Sequence, residues 1–221
     1  MGCTSSKYNI DSSVLPRPTG YDMSRLSTGD LVFFAQTNTV AQSLIHVATR
    51  SKWTHVGLII DLPTLYPKHS PMLFESCNNY EDDLTDVLTG ETLKSGVRLV
   101  SLRDRLQLVR DREIAVRELV IDESFDLENT DAIAIFGVVA SFCRKPYEKS
   151  KLQLSLSASP FNQRQDESSL FCSELVAATL QRLSLMSSRK SSNSYTPKSF
   201  TKKSFGMLCG KHQPLTYIQS H

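Results

Sequence analysis

The chain has 221 residues, 40% of them hydrophobic, with 25 Lys and Arg against 23 Asp and Glu and a formal charge of +2. That length and apolar content suit one domain with a substantial core. The near balance of charge, with no strongly basic or acidic block, gives a nucleic-acid partner no electrostatic support. The longest apolar run, "AIAIFGVVASFC" (132–143), is shorter than the roughly 20 residues that a membrane span needs, and residues 1–20 lack the apolar centre of a secretory signal.

The N-terminus "MGCTSSK" fits an N-myristoylation pattern, with Gly2 as acceptor and Ser6 at the required position. One myristoyl chain binds a membrane only weakly, with K on the order of 10⁴ M⁻¹, so stable anchoring needs a second signal. Residues 3–20 offer only Lys7 and Arg17 as basic groups, offset by Asp11. Cys3 is therefore the expected second site, for S-palmitoylation. Residues 1–27 are expected to be an acylated flexible anchor and spacer. The chain is then peripheral and lipid-anchored on the cytoplasmic face of a membrane, where thiols stay reduced. The five cysteines show no disulfide framework.

Further along, "TGDLVFFAQ" (28–36) reads as a turn and a short strand, and "NTVAQSLIHVATRS" (38–51) as a helix capped by Asn38 or Thr39. "WTHVGLIID" (53–61) and "PMLFES" (71–76) read as buried strands joined by a Pro-rich loop. "GVRLVSLRDRLQLV" (96–109) is a strand and then a short helix capped by Ser101, and "EIAVREL" (113–119) is a strand. "DAIAIFGVVASFC" (131–143) is a helix stopped by Pro146. Residues 148–169 form a long polar loop, either an insertion or a substrate contact. "LFCSELVAATLQ" (170–181) is a buried helix, "SSRKSSNSY" (187–195) a Ser-rich link, and "TPKSFTKKS" (196–204) a short helix with Pro197 in first position. The domain is expected over 28–205, with 206–221 as a C-terminal tail.

Cys172 stands at the mouth of its helix, where it is either a small apolar filler or a thiol whose anion the helix dipole stabilises. Its neighbour Ser173 would then line the substrate site. A nucleophilic thiol needs a base. His212 and His221 in the tail and His69 in its loop are expected to be solvated, and His46 on the 38–51 helix faces either core or solvent. His55 opens an otherwise apolar strand, and alternation puts it on one face with Gly57 and Ile59. Gly57 removes a side chain beside the imidazole, as a site for a substrate backbone requires. Glu75 ends the next apolar strand and is the candidate to orient the ring, whereas Asp61 lies about 20 Å along the His55 strand. No C-x-x-C or H-x-x-x-H spacing occurs, so neither metal nor cofactor is expected.

The stretches "GDLVFF", "THVGLII", "LFES", "RKPYE" and "FCSELVAATL", in that order, resemble the circularly permuted papain-like proteins of the NlpC superfamily, the YiiX-like group to which a poxvirus family is related. The resemblance spans residues 28 to about 204. It implies an α+β papain-like fold in which an antiparallel sheet packs on a C-terminal Cys-bearing helix. It also implies a nucleophile at Cys172, a base at His55, an orienting group at Glu75 and an oxyanion donor at the Cys172 N–H. Tyr147 matches a tyrosine recurring in that family and is expected to line the site. The expected activity is a cysteine hydrolase of amidase or peptidase type acting on an amide, ester or thioester. A lipid-directed thioesterase or acyltransferase, or a non-catalytic membrane adaptor on the same fold, are the alternatives.

Overall fold

The computed structural model describes residues 21–35, 51–78, 80, 82–109, 112–122, 132–146 and 171–219. Residues 38–50 of the expected helix, the loop 148–169 and residues 1–20 of the expected anchor and spacer lie outside them. Among the described residues the architecture is α+β. Strands β1 (Leu31–Ala35), β2 (Trp53–Ile60), β3 (Met72–Cys77) and β4 (Gly96–Ser101) come first, and then helix α1 (Leu102–Leu108). Strands β5 (Ile114–Arg117) and β6 (Leu119–Ile121), helices α2 (Ala132–Phe142) and α3 (Cys172–Arg182), and strands β7 (Gly210–His212) and β8 (Thr216–Gln219) complete the order.

Six strands form one sheet in the order β4-β3-β2-β1-β5-β8, antiparallel at every pairing, and β6 pairs with β7 in a second small sheet. A strand as continuously apolar as "WTHVGLII" must be covered on both faces, and all eight residues of β2 are buried. Val56, Leu58 and Ile60 meet Phe33, Phe74 and the buried side chains of α2 and α3 on one face. On the other, Ile59 joins Val32, Phe34, Leu73 and Val100 beneath Leu102 of α1 and Leu26. Ser101 caps α1 as expected, its hydroxyl accepting from the Asp104 N–H at 3.4 Å. Every residue of α3 from Cys172 to Leu180 is buried.

The strand register prepares an opening. β2 and β3 pair only through Leu58–Phe74, Ile59–Leu73 and Ile60–Met72. Beyond that point β3 stays with β4 as far as Cys77–Gly96, and β2 stays with β1 as far as Trp53, with an irregularity between Phe34 and Ala35. The two central strands therefore part at the level of Gly57. Gly96 anchors the rim of this region. It adopts φ +97°, and a Cβ there would lie 2.7 Å from the Lys145 carbonyl, so only glycine lets the chain after α2 approach β4 this closely.

Several expectations are corrected. Residues 21–27 belong to the domain rather than to a spacer: Leu26 is buried and the Tyr21 hydroxyl donates to Glu118. Residues 206–219 are likewise not a tail, because β8 completes the main sheet and buries Ile218. His212 is buried rather than solvated, its Nε2 bonded to the Gly29 carbonyl at 2.9 Å, and burial lowers its pKa to about 4. "EIAVREL" is two strands, because β5 pairs with β1 whereas β6 turns away to β7. Local alternation could not reveal that change of partner. With Ile218 in the core, Ile218→Ala should lower the unfolding free energy by about 2–5 kcal/mol. Urea denaturation checks this, and a detached tail would register no change.

Candidate active site

Alternation places His55 of β2, Glu75 of β3 and Arg98 of β4 on the sheet face that α1 covers. Glu75 is fully buried, and its two oxygens have separate duties. Oε2 meets His55 Nε2 at 2.8 Å. Oε1 accepts from Arg98 Nε at 3.1 Å, Arg98 Nη2 at 2.8 Å and Arg105 Nε at 2.9 Å. Burial alone would push this carboxyl up, but Arg105, the hydrogen bond from His55 and Arg98 hold it well below the usual carboxylate range. Arg98 is gripped in turn by Asp82, at 2.6 Å and 2.9 Å, and lies 3.4 Å from the centre of the Tyr80 ring.

Cys172 reaches His55 from the opposite face. Helix α3 packs on β2 and β3 where they part. With Nε2 of His55 given to Glu75, Nδ1 is left for the thiol, and the two side chains are hydrogen-bonded. Burial raises a thiol, yet the hydrogen bond and charge of His55, with the backbone N–H groups of Val56 and Ser173, bring Cys172 below its ordinary value. Burial also opposes the imidazolium, but Cys172 and Glu75 outweigh it and raise His55 to about 9. Both shifts favour a thiolate–imidazolium pair near neutral pH. No side chain caps α3 at Phe171, and of the first turn it is the Ser173 N–H that bonds the Cys172 sulfur. Phe34 packs on His55 with ring centres 5.4 Å apart, and the Arg105 guanidinium lies 5.3 Å from the centre of the Phe34 ring.

Of the expected site residues, Cys172, His55 and Glu75 therefore converge. Two others take structural roles instead. A Cβ on Gly57 would lie 2.6 Å from Leu73 Cδ1, so the space that glycine spares is filled by Leu73 rather than left for a substrate. The Ser173 hydroxyl donates to the Tyr195 carbonyl at 2.8 Å and is buried, which ties it to the chain beyond α3 and away from a ligand. Tyr147, Gly2 and Cys3 lie outside the described residues.

Arg98, Arg105 and Asp82 carry no expectation from sequence. Arg98 interrupts the apolar run "GVRLV" just as Glu75 interrupts "MLFES", and that signal was available. Arg105 looks like one more solvated charge in "LRDRLQL", and nothing local marks it. Cys209 and His212 do not form a metal pair, since Cys209 Sγ meets the Leu185 carbonyl at 3.6 Å and His212 meets Gly29. No group of three or more His, Cys, Asp or Glu among the described residues is placed to hold a metal ion.

Iodoacetamide should separate these thiols. Between about pH 6 and 7, Cys172 should be alkylated at least tenfold faster than Cys143, whose thiol burial and Asp86 push up to about 12. Mass mapping of the labelled peptides reads the ratio, and equal rates would deny Cys172 its ion pair. No protein-family model matches the sequence, and no curated protein matches it significantly. Among solved structures, the chain is similar to the metalloprotein yiiX from Escherichia coli O157:H7, with 19% identity and a TM-score of 0.44. The match covers 70% of this chain and 64% of that one, which is less than two thirds of its length.

Proposed function

We propose that the chain is a cysteine hydrolase of amidase or peptidase type with a papain-like, circularly permuted NlpC-type domain. Acyl chains on Gly2 and Cys3 would hold it at the cytoplasmic face of a membrane. The observation carrying the catalytic part is the hydrogen-bonded line Cys172–His55–Glu75, assembled from three elements of which the outer two lie almost a hundred residues apart. The order of the chain, base before nucleophile, fits the permuted arrangement.

In this reading the Cys172 thiolate attacks the carbonyl carbon of an amide, ester or thioester. The oxyanion that forms is met by the Cys172 N–H at the helix N-terminus. His55 gives its proton to the departing amine, alcohol or thiol as the carbon–heteroatom bond breaks, leaving a thioester on Cys172. The neutral imidazole then takes a proton from water, whose oxygen attacks the thioester. Collapse releases the acid and restores the thiolate beside the imidazolium. Glu75 keeps the ring oriented and supports its charge, and Arg98 and Arg105 keep Glu75 ionised.

The test is the mass added to the protein by a panel of amide, ester and thioester substrates. An acyl adduct should form on Cys172 and be absent from Cys172→Ser. Glu75→Gln should slow its formation about 10²-fold or more. That change also removes the counterion of two buried arginines, at a cost of about 3–5 kcal/mol. The rate is therefore measured where circular dichroism shows the variant folded. Asp61→Asn should leave the rate unchanged, because Asp61 lies at the far end of β2 beside Thr28. Failure of every substrate class to acylate Cys172 would favour a non-catalytic adaptor. An adduct resolved by an added nucleophile faster than by water would favour an acyltransferase.

The anchor has its own test. Gly2→Ala should raise the share of the protein found in the soluble fraction of cells, and Cys3→Ser should make its membrane binding weaker and more exchangeable. Unchanged membrane retention of Gly2→Ala would dismiss myristoylation as the attachment.

A further inference from the structure

The overall charge of +2 conceals an asymmetry. Residues 175–221 contain seven Lys and Arg and no Asp or Glu, which leaves 18 basic against 23 acidic residues before them. The expectation that no basic block exists is thereby corrected. Folding brings the turns and the short strand β7 of this segment together. Residues 185–190 and 202–208 run beside each other, with the Ser187 N–H donating to the Gly206 carbonyl at 2.8 Å and the Leu208 N–H to the Leu185 carbonyl at 2.9 Å. Arg117 then ties in β7, its guanidinium donating to the carbonyls of Phe200, Lys202, His212 and Gln213.

Arg189, Lys190, Lys202, Lys203 and Lys211 are all exposed on the segments so joined. Partial burial and repulsion from Lys202 both lower the Lys190 pKa, as expected for neighbouring ammonium groups. Arg117 is buried among neutral carbonyls, so its charge adds to theirs. The nearby Glu118 is engaged by Tyr21 and Arg25, and Asp122 borders the face beside Cys209. Apolar side chains stand among the lysines: Leu208 is 61% exposed, and Val120, opposite Lys211 in the β6–β7 ladder, is 44% exposed.

We propose that this face docks the domain on a bilayer carrying anionic lipid headgroups, with the lysines over the headgroups and Leu208 and Val120 entering the interfacial layer. Flexible ammonium stems suit a fluid anionic surface, and exposed aliphatic residues among them gain by leaving water. The docking depends neither on the chemistry of Cys172 nor on acylation of Gly2. It also lies close to the candidate site, because Lys190 sits 4.2 Å from the centre of the Tyr195 ring and Tyr195 accepts from Ser173.

Full-length protein produced without N-terminal acylation is sedimented with vesicles of phosphatidylcholine alone, or with about one third phosphatidylserine. Partition should be at least about tenfold greater on the anionic vesicles and should fall steeply as salt is raised. At about fivefold per basic residue, the combined K190E, K202E, K203E and K211E protein should lose more than about a hundredfold. Lys68→Glu, at an exposed position outside this segment, should lose little. Circular dichroism establishes that the charge-reversed protein remains folded, since all four changes are at exposed positions. Leu208→Ser should weaken partition while leaving its salt dependence intact. Equal partition on neutral and anionic vesicles, or an unaffected charge-reversed protein, would overturn the proposal. So would binding to heparin or duplex RNA without binding to vesicles, which would assign the face to a different polyanion.

Discussion

A single carboxylate with no contact with solvent organises this molecule. Removing Glu75 from water costs several kcal/mol unless every lone pair finds a donor. Two arginines and one histidine supply those donors. Each comes from a different element: His55 from β2, Arg98 from β4 and Arg105 from α1. A slip of one residue in either neighbouring strand would turn His55 or Arg98 to the opposite face and leave the carboxylate unpaired. The penalty for that error makes the cluster a check on sheet register as well as a support for the candidate base. Asp82 and Tyr80 extend the same logic by holding Arg98, so that Glu75 and Asp82 balance Arg98 and Arg105 in charge.

The sheet solves a second problem by opening. The helix carrying Cys172 packs on one face, while His55 and its carboxylate belong to the other. An unbroken ladder between β2 and β3 would keep thiol and imidazole apart. The strands part after Leu58 and Phe74, and the hydrogen bond from His55 to Glu75 spans the gap where backbone pairing has stopped. The Val56 N–H, in the stretch of β2 that has lost β3, is among the groups that favour the thiolate. Loss of a few ladder bonds is thus offset by a buried charge pair, and it creates the place where a carbonyl could meet the thiolate.

The C-terminal third links this centre to the surface. Ser173, next to Cys172, holds the Tyr195 carbonyl, and the Tyr195 ring stacks on Phe200 beneath Lys190. Arg117 gathers the turns beyond Phe200 by offering its donors to their carbonyls. The segment that supplies the basic face is therefore also structural support for the helix of Cys172. Its charges stand outward because its apolar residues, Phe200, Phe205 and Cys209, are taken into the core.

Local patterns in the sequence were enough to place most strands and helices. "WTHVGLII" read as a buried strand, Ser101 as the cap of the helix that begins at Leu102, and Glu75 as the strand-end carboxylate to orient His55, although its complete burial emerged only in the fold. The expected grouping of Cys172, His55 and Glu75 came from chemistry and resemblance, because a nucleophilic thiol would require a base and that base a carboxylate. Tertiary structure decided everything that depends on distant partners. It made Gly57 room for Leu73, committed the Ser173 hydroxyl to Tyr195, turned an apparent tail into the edge strand β8, and buried His212. It also recruited Arg105, which reads as a solvated helix charge until α1 lays it against Glu75. Periodicity records whether a side chain faces the core, since that depends on neighbours a few residues away. Which group it meets there is set by register and packing between segments tens of residues apart, and no local pattern encodes that.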